Sequence, residues 1–193
     1  MSCTLTRSRA EACKDSVAGI KEIYLVDFGV LGTVTIAPNT GEITNFTSAE
    51  DFTLHKYELK GNNSFETTIN ASRENGTVFY EQTLNITLKK LTREDHKELK
   101  LLAAGRPHIF VVDQNDKVFM MGRVNGADVT AGTVSTGNAL GDFNGYNLTF
   151  TAQETTPPDF LDAAALDASA ATYPLSGFAG LTGTVTAGTV ESV

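Results

Sequence analysis

The chain has 193 residues, of which 41% are hydrophobic, and it carries a formal net charge of −8. This length and apolar content suit one compact domain with extensions, and the acidic balance argues against a general nucleic-acid-binding surface, which needs clusters of Lys and Arg. No stretch is apolar enough to predict a membrane span, and the first residues lack the apolar run of a secretory signal, so we expect synthesis in the cytoplasm.

The two cysteines, Cys3 and Cys13, lie ten positions apart near the N-terminus. No second group of Cys or His stands at the spacing that a zinc site requires. We therefore interpret both as reduced structural thiols.

Strand signals dominate the first half of the chain. Residues 22–28 form a β-branched and aromatic run that Gly29 closes, and residues 32–36 form a second run that ends at the turn cluster 38–41. Together they indicate a β-hairpin. Alternation of apolar and polar residues predicts further half-buried antiparallel strands over 52–59, 64–72 and 83–88.

One segment has helical spacing. Residues 92–95 have the spacing of a capping box, Leu99, Leu102 and Ala103 follow at helical intervals, and Gly105 comes at the end. This pattern predicts one α-helix over about 92–105. We expect its Leu99, Leu102 and Ala103 face to pack on the sheet.

After the helix the strand pattern resumes. Residues 108–112 and 117–122 predict a hairpin whose polar turn is 113–116, and that turn is too short for a calcium loop. Residues 125–145 are rich in Gly, Thr and Ala and predict a long loop, which a final strand over 146–152 closes.

The two prolines Pro157 and Pro158 predict the end of the compact domain, because consecutive prolines do not fit inside a sheet. The predicted domains are an N-terminal arm (1–20), a β-barrel or sandwich domain with the helix (21–156) and a C-terminal extension (157–193). The extension has few large apolar groups, so we expect it to order only on neighbouring copies. A chain that ends at Glu154 is then expected to fold but to assemble poorly.

The sequence offers little for catalysis. The histidines His55, His96 and His108 form no triad or metal pattern, and the Gly-rich segment 137–142 lacks the Lys-Ser/Thr ending of a phosphate loop. We predict no catalytic, cofactor-binding or metal-ligating residues, and no cofactor. The chain is expected not to be an enzyme.

Residues 65–154 carry a family resemblance. Its parts are the segments 65–70, 75–80, 91–106, 119–126 and 136–150, together with 3–6, 13–16 and 20–21 near the N-terminus. In these segments the chain resembles the tail tube proteins of tailed bacteriophages, especially structural proteins of phages that infect Bacteroidetes-type hosts. These motifs are structural, since they consist of strand, turn and helix signals, and they carry no catalytic specificity.

The resemblance implies a mainly β fold, an antiparallel sandwich or barrel of tail-tube type with one flanking helix. It also implies a virion protein whose copies join into a ring, usually sixfold, and whose rings stack around the channel for DNA ejection. Partners would be further copies of the chain and other tail, neck or capsid proteins, with genomic DNA passing without specific binding and no membrane contact.

Two readings within the virion stay open beside the tail tube, namely a ring-forming neck or connector protein and a capsid-associated decoration protein. A hydrolase or carbohydrate-binding module on a β-sandwich is the reading from a different class. For the tube we expect a channel wall of net negative charge, because cationic contacts to phosphates would slow a sliding duplex. Glu58, Glu66 and Glu81 are its candidates, since they lie on predicted strands.

Overall fold

The computed structural model describes residues 9–11, 13–48, 51–178 and 181–188. The described chain is mainly β, with three sheets and one α-helix, which confirms the prediction of a mainly β fold with one helix. The sheets do not close into a barrel. The barrel alternative is therefore wrong for the single chain.

A six-stranded sheet forms the middle layer of the molecule. Its strand order is β11-β8-β7-β1-β4-β12. All its neighbours are antiparallel except β12, which pairs in parallel with β4. The strands are β1 (Ile20–Val26), β4 (Phe52–Glu58), β7 (His108–Asp113), β8 (Val118–Met121), β11 (Asp159–Phe160) and β12 (Gly183–Ala187).

β1 and β7 are almost continuously apolar and buried. Because successive residues of a strand point to opposite faces, both faces of this sheet carry apolar side chains and both are covered. Ile23 and Val111 contribute to one core cluster, whereas Tyr24 and Phe110 contribute to the other. Two cores thus lie on the two sides of one sheet.

A four-stranded antiparallel sheet covers the first face. Its order is β5-β6-β10-β9. The strands are β5 (Ser64–Ser72), β6 (Thr77–Lys89), β9 (Asp128–Ser135) and β10 (Gly145–Glu154). Leu84 and Ile86 of β6 and Leu148 and Phe150 of β10 are buried against the middle sheet. The two sheets form a sandwich.

The second face is covered by a two-stranded ribbon and by the C-terminal segment. β2 (Thr33–Ile36) pairs with β3 (Ile43–Thr47) across the turn 38–41. The predicted hairpin of 22–28 with 32–36 is therefore wrong, because β1 pairs with β4 and β7 instead. Phe46 of the ribbon packs edge-on to Phe110 and Phe178.

The described residues after Pro158 do not form a separate extension. Leu161, Tyr173, Leu175 and Phe178 are buried in the second core, and a short 3-10 turn (Ala163–Ala165) lies between them. The expectation that residues 157–193 order only on neighbouring copies is therefore not met by the part described. Tertiary contacts supply what the local composition lacks.

The helix α1 (Arg93–Ala104) confirms the prediction over 92–105. The Thr92 hydroxyl accepts the amide proton of Asp95 at 3.1 Å, as an N-cap does. Leu99 and Leu102 pack against the first core, but Ala103 is exposed and no helix residue is fully buried. The helix therefore packs more lightly than predicted. No helix in the described ranges is long and apolar enough to cross a membrane.

The long loop predicted over 125–145 is wrong for residues 128–135, which form the edge strand β9. Most side chains of this strand are exposed. Its sequence therefore lacks the alternation of apolar and polar residues from which half-buried strands are predicted. Its backbone pairing with β10 provides the order instead.

Candidate functional site

The three histidines lie apart and do not form a site. His55 is exposed on β4 and His96 is exposed on the helix, whereas His108 is buried at the start of β7. Within the described ranges, no group of three or more His, Cys, Asp or Glu side chains is placed to hold a metal ion. Cys13 is free and exposed, and Cys3 lies outside the described residues.

Buried polar side chains instead converge on a turn formed by residues 122–126. The Gln82 side-chain oxygen accepts the amide proton of Gly122 at 3.1 Å, and the Glu154 carboxylate accepts the amide protons of Val124 and Asn125 at 2.9 and 2.8 Å. Gln82 and Glu154 are both buried. The backbone of the turn is therefore held in place by hydrogen bonds to these two buried side chains.

Arg123 fastens the same turn to the C-terminal segment. Its guanidinium lies 2.7 Å from the Asp159 carboxylate and donates a hydrogen bond to the Thr156 hydroxyl at 3.0 Å. Burial raises the pKa of Asp159, and the charge of Arg123 opposes that rise. The pair links β8 to the start of β11.

His108 lies beneath the same turn in a stack of planar groups. The Phe28 ring stacks on the imidazole at 5.0 Å between centroids, and the Arg106 guanidinium lies 4.5 Å from the centre of the Phe28 ring. The Nε2 atom of His108 accepts the amide proton of Gly29 at 3.2 Å. Both ring nitrogens are occupied, since Nδ1 bonds the carbonyl oxygen of Gly122.

A second buried polar group is Glu22 on β1. Its carboxylate accepts the Tyr24 hydroxyl at 2.8 Å and pairs with the Lys56 ammonium at 2.8 Å. The contact with Glu22 raises the pKa of Lys56, and burial together with the same carboxylate raises that of Tyr24. Burial also raises the pKa of Tyr173, whose ring packs on Tyr24, to about 12.

These buried groups are engaged with backbone or with each other, as buried polar groups in a stable fold are. They do not open into a common cavity with a free nucleophile or base. Their arrangement holds strands and turns in place, and we interpret them as structural.

Exposed apolar side chains are the unusual feature of the surface, and the first group lies on the hairpin of β5 and β6. β10 pairs with β6 only from Tyr80 onward, so the hairpin projects beyond the four-stranded sheet. The inner face of the sheet, which carries Leu84 in the body, continues along this projection. Ile69, opposite Tyr80 where the projection begins, is 64% exposed, and Val78 within the projection is 53% exposed. We call Ile69, Ala71 and Val78 the hairpin face.

The second exposed group is a turn at the opposite end of the sheet. Leu140 is fully exposed at its apex. The Asp142 carboxylate accepts the amide protons of Asn138 and Ala139 at 2.8 and 2.7 Å, and these bonds lower the pKa of Asp142. The segment 137–142, here named the Leu140 turn, is thus the loop predicted from its glycines. Its geometry presents one leucine to solvent.

The third feature is a groove of about 350 Å³ between the C-terminal half of α1 and the ends of β1 and β4. Its lining is mixed and includes the exposed apolar side chains of Phe28 and Leu101, of which the latter is 59% exposed. Charged and polar side chains stand around it. The other lining residues are Leu25, Val26, Asp27, His55, Tyr57, Glu98, Leu102, Gly105, Arg106 and Pro107.

The outer face of the four-stranded sheet is polar and mostly uncharged. Cross-strand hydrogen bonds join Thr87 to Asn147 at 3.0 Å and Thr149 to Asn85 at 2.8 Å. By strand alternation Glu66 and Glu81 lie on this same face. Glu58, the other acidic candidate, lies elsewhere, on β4 beside Lys56 at 3.6 Å.

Comparison with known proteins returned no matching family model, no matching curated protein and no matching solved structure. The surfaces described above therefore provide the structural basis for a functional proposal.

Sequence reasoning overlooked the three apolar surfaces. In the sequence, Ile69 and Val78 look like ordinary strand residues, because the alternation of apolar and polar residues does not show where a strand extends beyond its neighbours in the sheet. Leu140 was available as a signal, since it is one large apolar residue inside a polar, Gly-rich loop. The groove depends on where the helix lies and has no sequence signal.

Proposed function

We propose that this chain is a bacteriophage virion structural protein, a tail tube subunit that assembles into stacked rings around a DNA channel. The resemblance of residues 65–154 supports the proposal. The observation that carries it is the hairpin face, because an apolar sheet face that projects from a structured body is typical of a surface that another chain covers. Self-assembly would cover it in every copy.

The edges of the four-stranded sheet support a ring. β5 and β9 are its terminal strands, with nine and eight residues. Open strand edges pair readily with other strands, and joining β5 of one copy to β9 of the next would satisfy both. β5 pairs with residues 77–85 of β6. β9 pairs with the part of β10 that lies opposite residues 83–89 of β6, so the two edge strands are offset along the sheet. Such stagger suits tilted strands in a closed barrel.

The outer face of the same sheet suits a channel wall. Its outward positions are mostly Thr, Asn and Ser, with the acids Glu66, Glu81 and Asp128. Lys89 is the basic residue at outward positions of these four strands, and it stands at one end. A wall of this composition would offer few cationic contacts to phosphates, so a duplex would slide with little friction.

Negative-stain microscopy of the purified full chain tests the proposal. We expect rings and tubes from the natural chain and their loss in an Ile69→Asp, Val78→Asp double variant, which places two charges on the hairpin face. The control Thr68→Asp changes the opposite face of the same strand and should leave ring contacts through the hairpin face intact. Circular dichroism should show that both variants fold.

The outcomes separate the readings. Tubes that disappear only in the hairpin-face variant support the tail tube. Rings that never stack favour the neck or connector protein, and monomers that bind a preformed shell favour the decoration protein. A uniform monomer with no affinity for virion proteins contradicts all three.

A further inference from the structure

The Leu140 turn and the groove beside α1 lie at opposite ends of that helix. Lys90, two residues before the N-cap, donates its amide proton to Asn144 at the base of the turn at 2.8 Å. Leu101 and Gly105 line the groove at the other end of the helix. Twelve helical residues separate the ends by about 18 Å, so the turn does not reach the groove of its own chain.

We propose that the Leu140 turn of one copy docks into this groove on a second copy, an inference that rests on the proposed self-assembly and names one of its contacts. Each copy carries one knob and one groove, which is what a repeating head-to-tail contact requires. A contact of this type continues from copy to copy instead of closing after two.

The shapes of the two surfaces match. The Leu140 side chain is fully exposed, and the Asp142 carboxylate fixes the turn that presents it, so little conformational freedom is lost on docking. The groove offers about 350 Å³, and its lining includes the apolar residues Phe28 and Leu101, so it has room for a leucine and its flanking backbone. Docking would cover exposed apolar surface on both copies.

The charges around the two surfaces are complementary. Lys89 is exposed at the end of β6 next to the base of the Leu140 turn, where it pairs across the sheet with Gly145. The turn also carries the Asp142 carboxylate, whose hydrogen bonds are made within the turn. The groove carries the two carboxylates of Asp27 and Glu98 against the single guanidinium of Arg106. A lysine that approaches the groove beside the knob would meet these acids, and such complementarity favours one orientation of docking.

Association of the full-length variants by sedimentation velocity tests the contact. Leu140→Asp should weaken association about tenfold or more, because burying one leucine contributes roughly that factor. Leu140→Met should retain association. Val17→Asp is the matched control, since Val17 is an exposed apolar residue outside both surfaces. Lys89→Glu should weaken association, and Glu98→Lys on the partner copy should restore it.

Disulfide trapping gives an independent readout. In a Cys3→Ser, Cys13→Ser background, a chain with Leu140→Cys is mixed with a chain with Leu101→Cys. We expect a crosslinked pair from the mixture and little from either chain alone. Absence of the crosslink from mixtures that form rings overturns the contact.

The results also distinguish this inference from the proposed function. Rings that form normally from Leu140→Asp overturn the docking contact and leave the tube subunit standing. A crosslink between the two surfaces in a protein that never forms rings or tubes supports the contact and contradicts the tube. Normal association of Leu140→Asp without a crosslink overturns the contact in either case.

Discussion

The Nδ1 atom of His108 lies 2.6 Å from the carbonyl oxygen of Gly122, a distance that requires a proton on Nδ1. Since Nε2 accepts the amide proton of Gly29, the fold selects the neutral imidazole with its proton on Nδ1. Protonation of Nε2 would break the bond to Gly29. It would also place a cation in the stack that already carries Arg106.

This geometry predicts an acid-sensitive fold. Burial lowers the pKa of His108 from its ordinary value of 6.5, although the bond to Gly122 and the charge of Glu154 oppose the effect. Below pH 6.5 the unfolded chain binds a proton that the folded chain excludes. The contribution of His108 to stability is therefore constant above this pH and falls as the pH drops through it, by at most about 1.4 kcal/mol per pH unit.

Urea unfolding between pH 8 and pH 5 measures the effect, and NMR titration of the imidazole reports its pKa directly. The pH dependence should shrink in His108→Gln and persist in His96→Gln, whose imidazole is exposed on the helix. An ordinary pKa for His108 in the folded protein would contradict the prediction.

The light packing of the helix predicts a graded cost of leucine truncation. Leu84 is fully buried, Leu99 is partly buried and Leu101 is 59% exposed. Leu84→Ala should lower the free energy of unfolding by about 2–5 kcal/mol, Leu99→Ala by about 1–2 kcal/mol and Leu101→Ala by less than about 0.5 kcal/mol. Urea unfolding followed by circular dichroism tests the order. A cost for Leu99→Ala equal to that of Leu84→Ala would show a tighter helix contact.

The C-terminal residues should be needed for folding. A chain that ends at Glu154 lacks Leu161, Tyr173, Leu175 and Phe178, and so exposes one face of the middle sheet. We now expect this truncation to aggregate or unfold, in contrast to the sequence-based expectation. A chain that ends at Phe178 keeps these four buried residues, loses the pairing of β12 with the edge of β4 and the partly buried Leu181 and Val185, and should fold. Solubility and cooperative thermal unfolding distinguish the two.

The sequence was sufficient where local patterns decide the structure. The capping spacing at Thr92 located the helix, and the alternation of Leu84, Ile86 and Leu88 located β6. It was insufficient where a distant partner decides. β9 is ordered by β10, and β12 is ordered by β4, which lies about 130 residues earlier, as the pair Thr53 and Thr184 shows. Neither strand has an apolar alternation of its own.

The candidate site was still harder to predict. A sequence search looks for nucleophiles, bases and metal ligands, and no group of three or more potential metal ligands is placed to hold an ion in the described ranges. The informative residues are apolar ones whose exposure follows from tertiary geometry, such as Val78, which lies beyond the last pairing of β6 with β10. The buried acceptor Glu154 likewise has meaning only beside the turn that it holds.

The outer face of the four-stranded sheet yields the last prediction. If this face lines the channel, a Glu66→Lys, Glu81→Lys double variant would convert its two central acids into cations on neighbouring strands. Each cation on a channel wall adds a phosphate contact, so assembled tubes of the variant should bind and retain duplex DNA in a salt-dependent manner. Tubes of the natural chain should not retain duplex DNA. Glu42→Lys with Glu11→Lys is the control, because the partly exposed Glu42 and the exposed Glu11 both lie outside this sheet and give the same change in net charge. Gel shift and cosedimentation with tubes at low and at high salt measure the effect.

Equal DNA binding by the variant and the control would show that the face is not a channel wall. Failure of both to bind DNA would show that no duplex reaches the face.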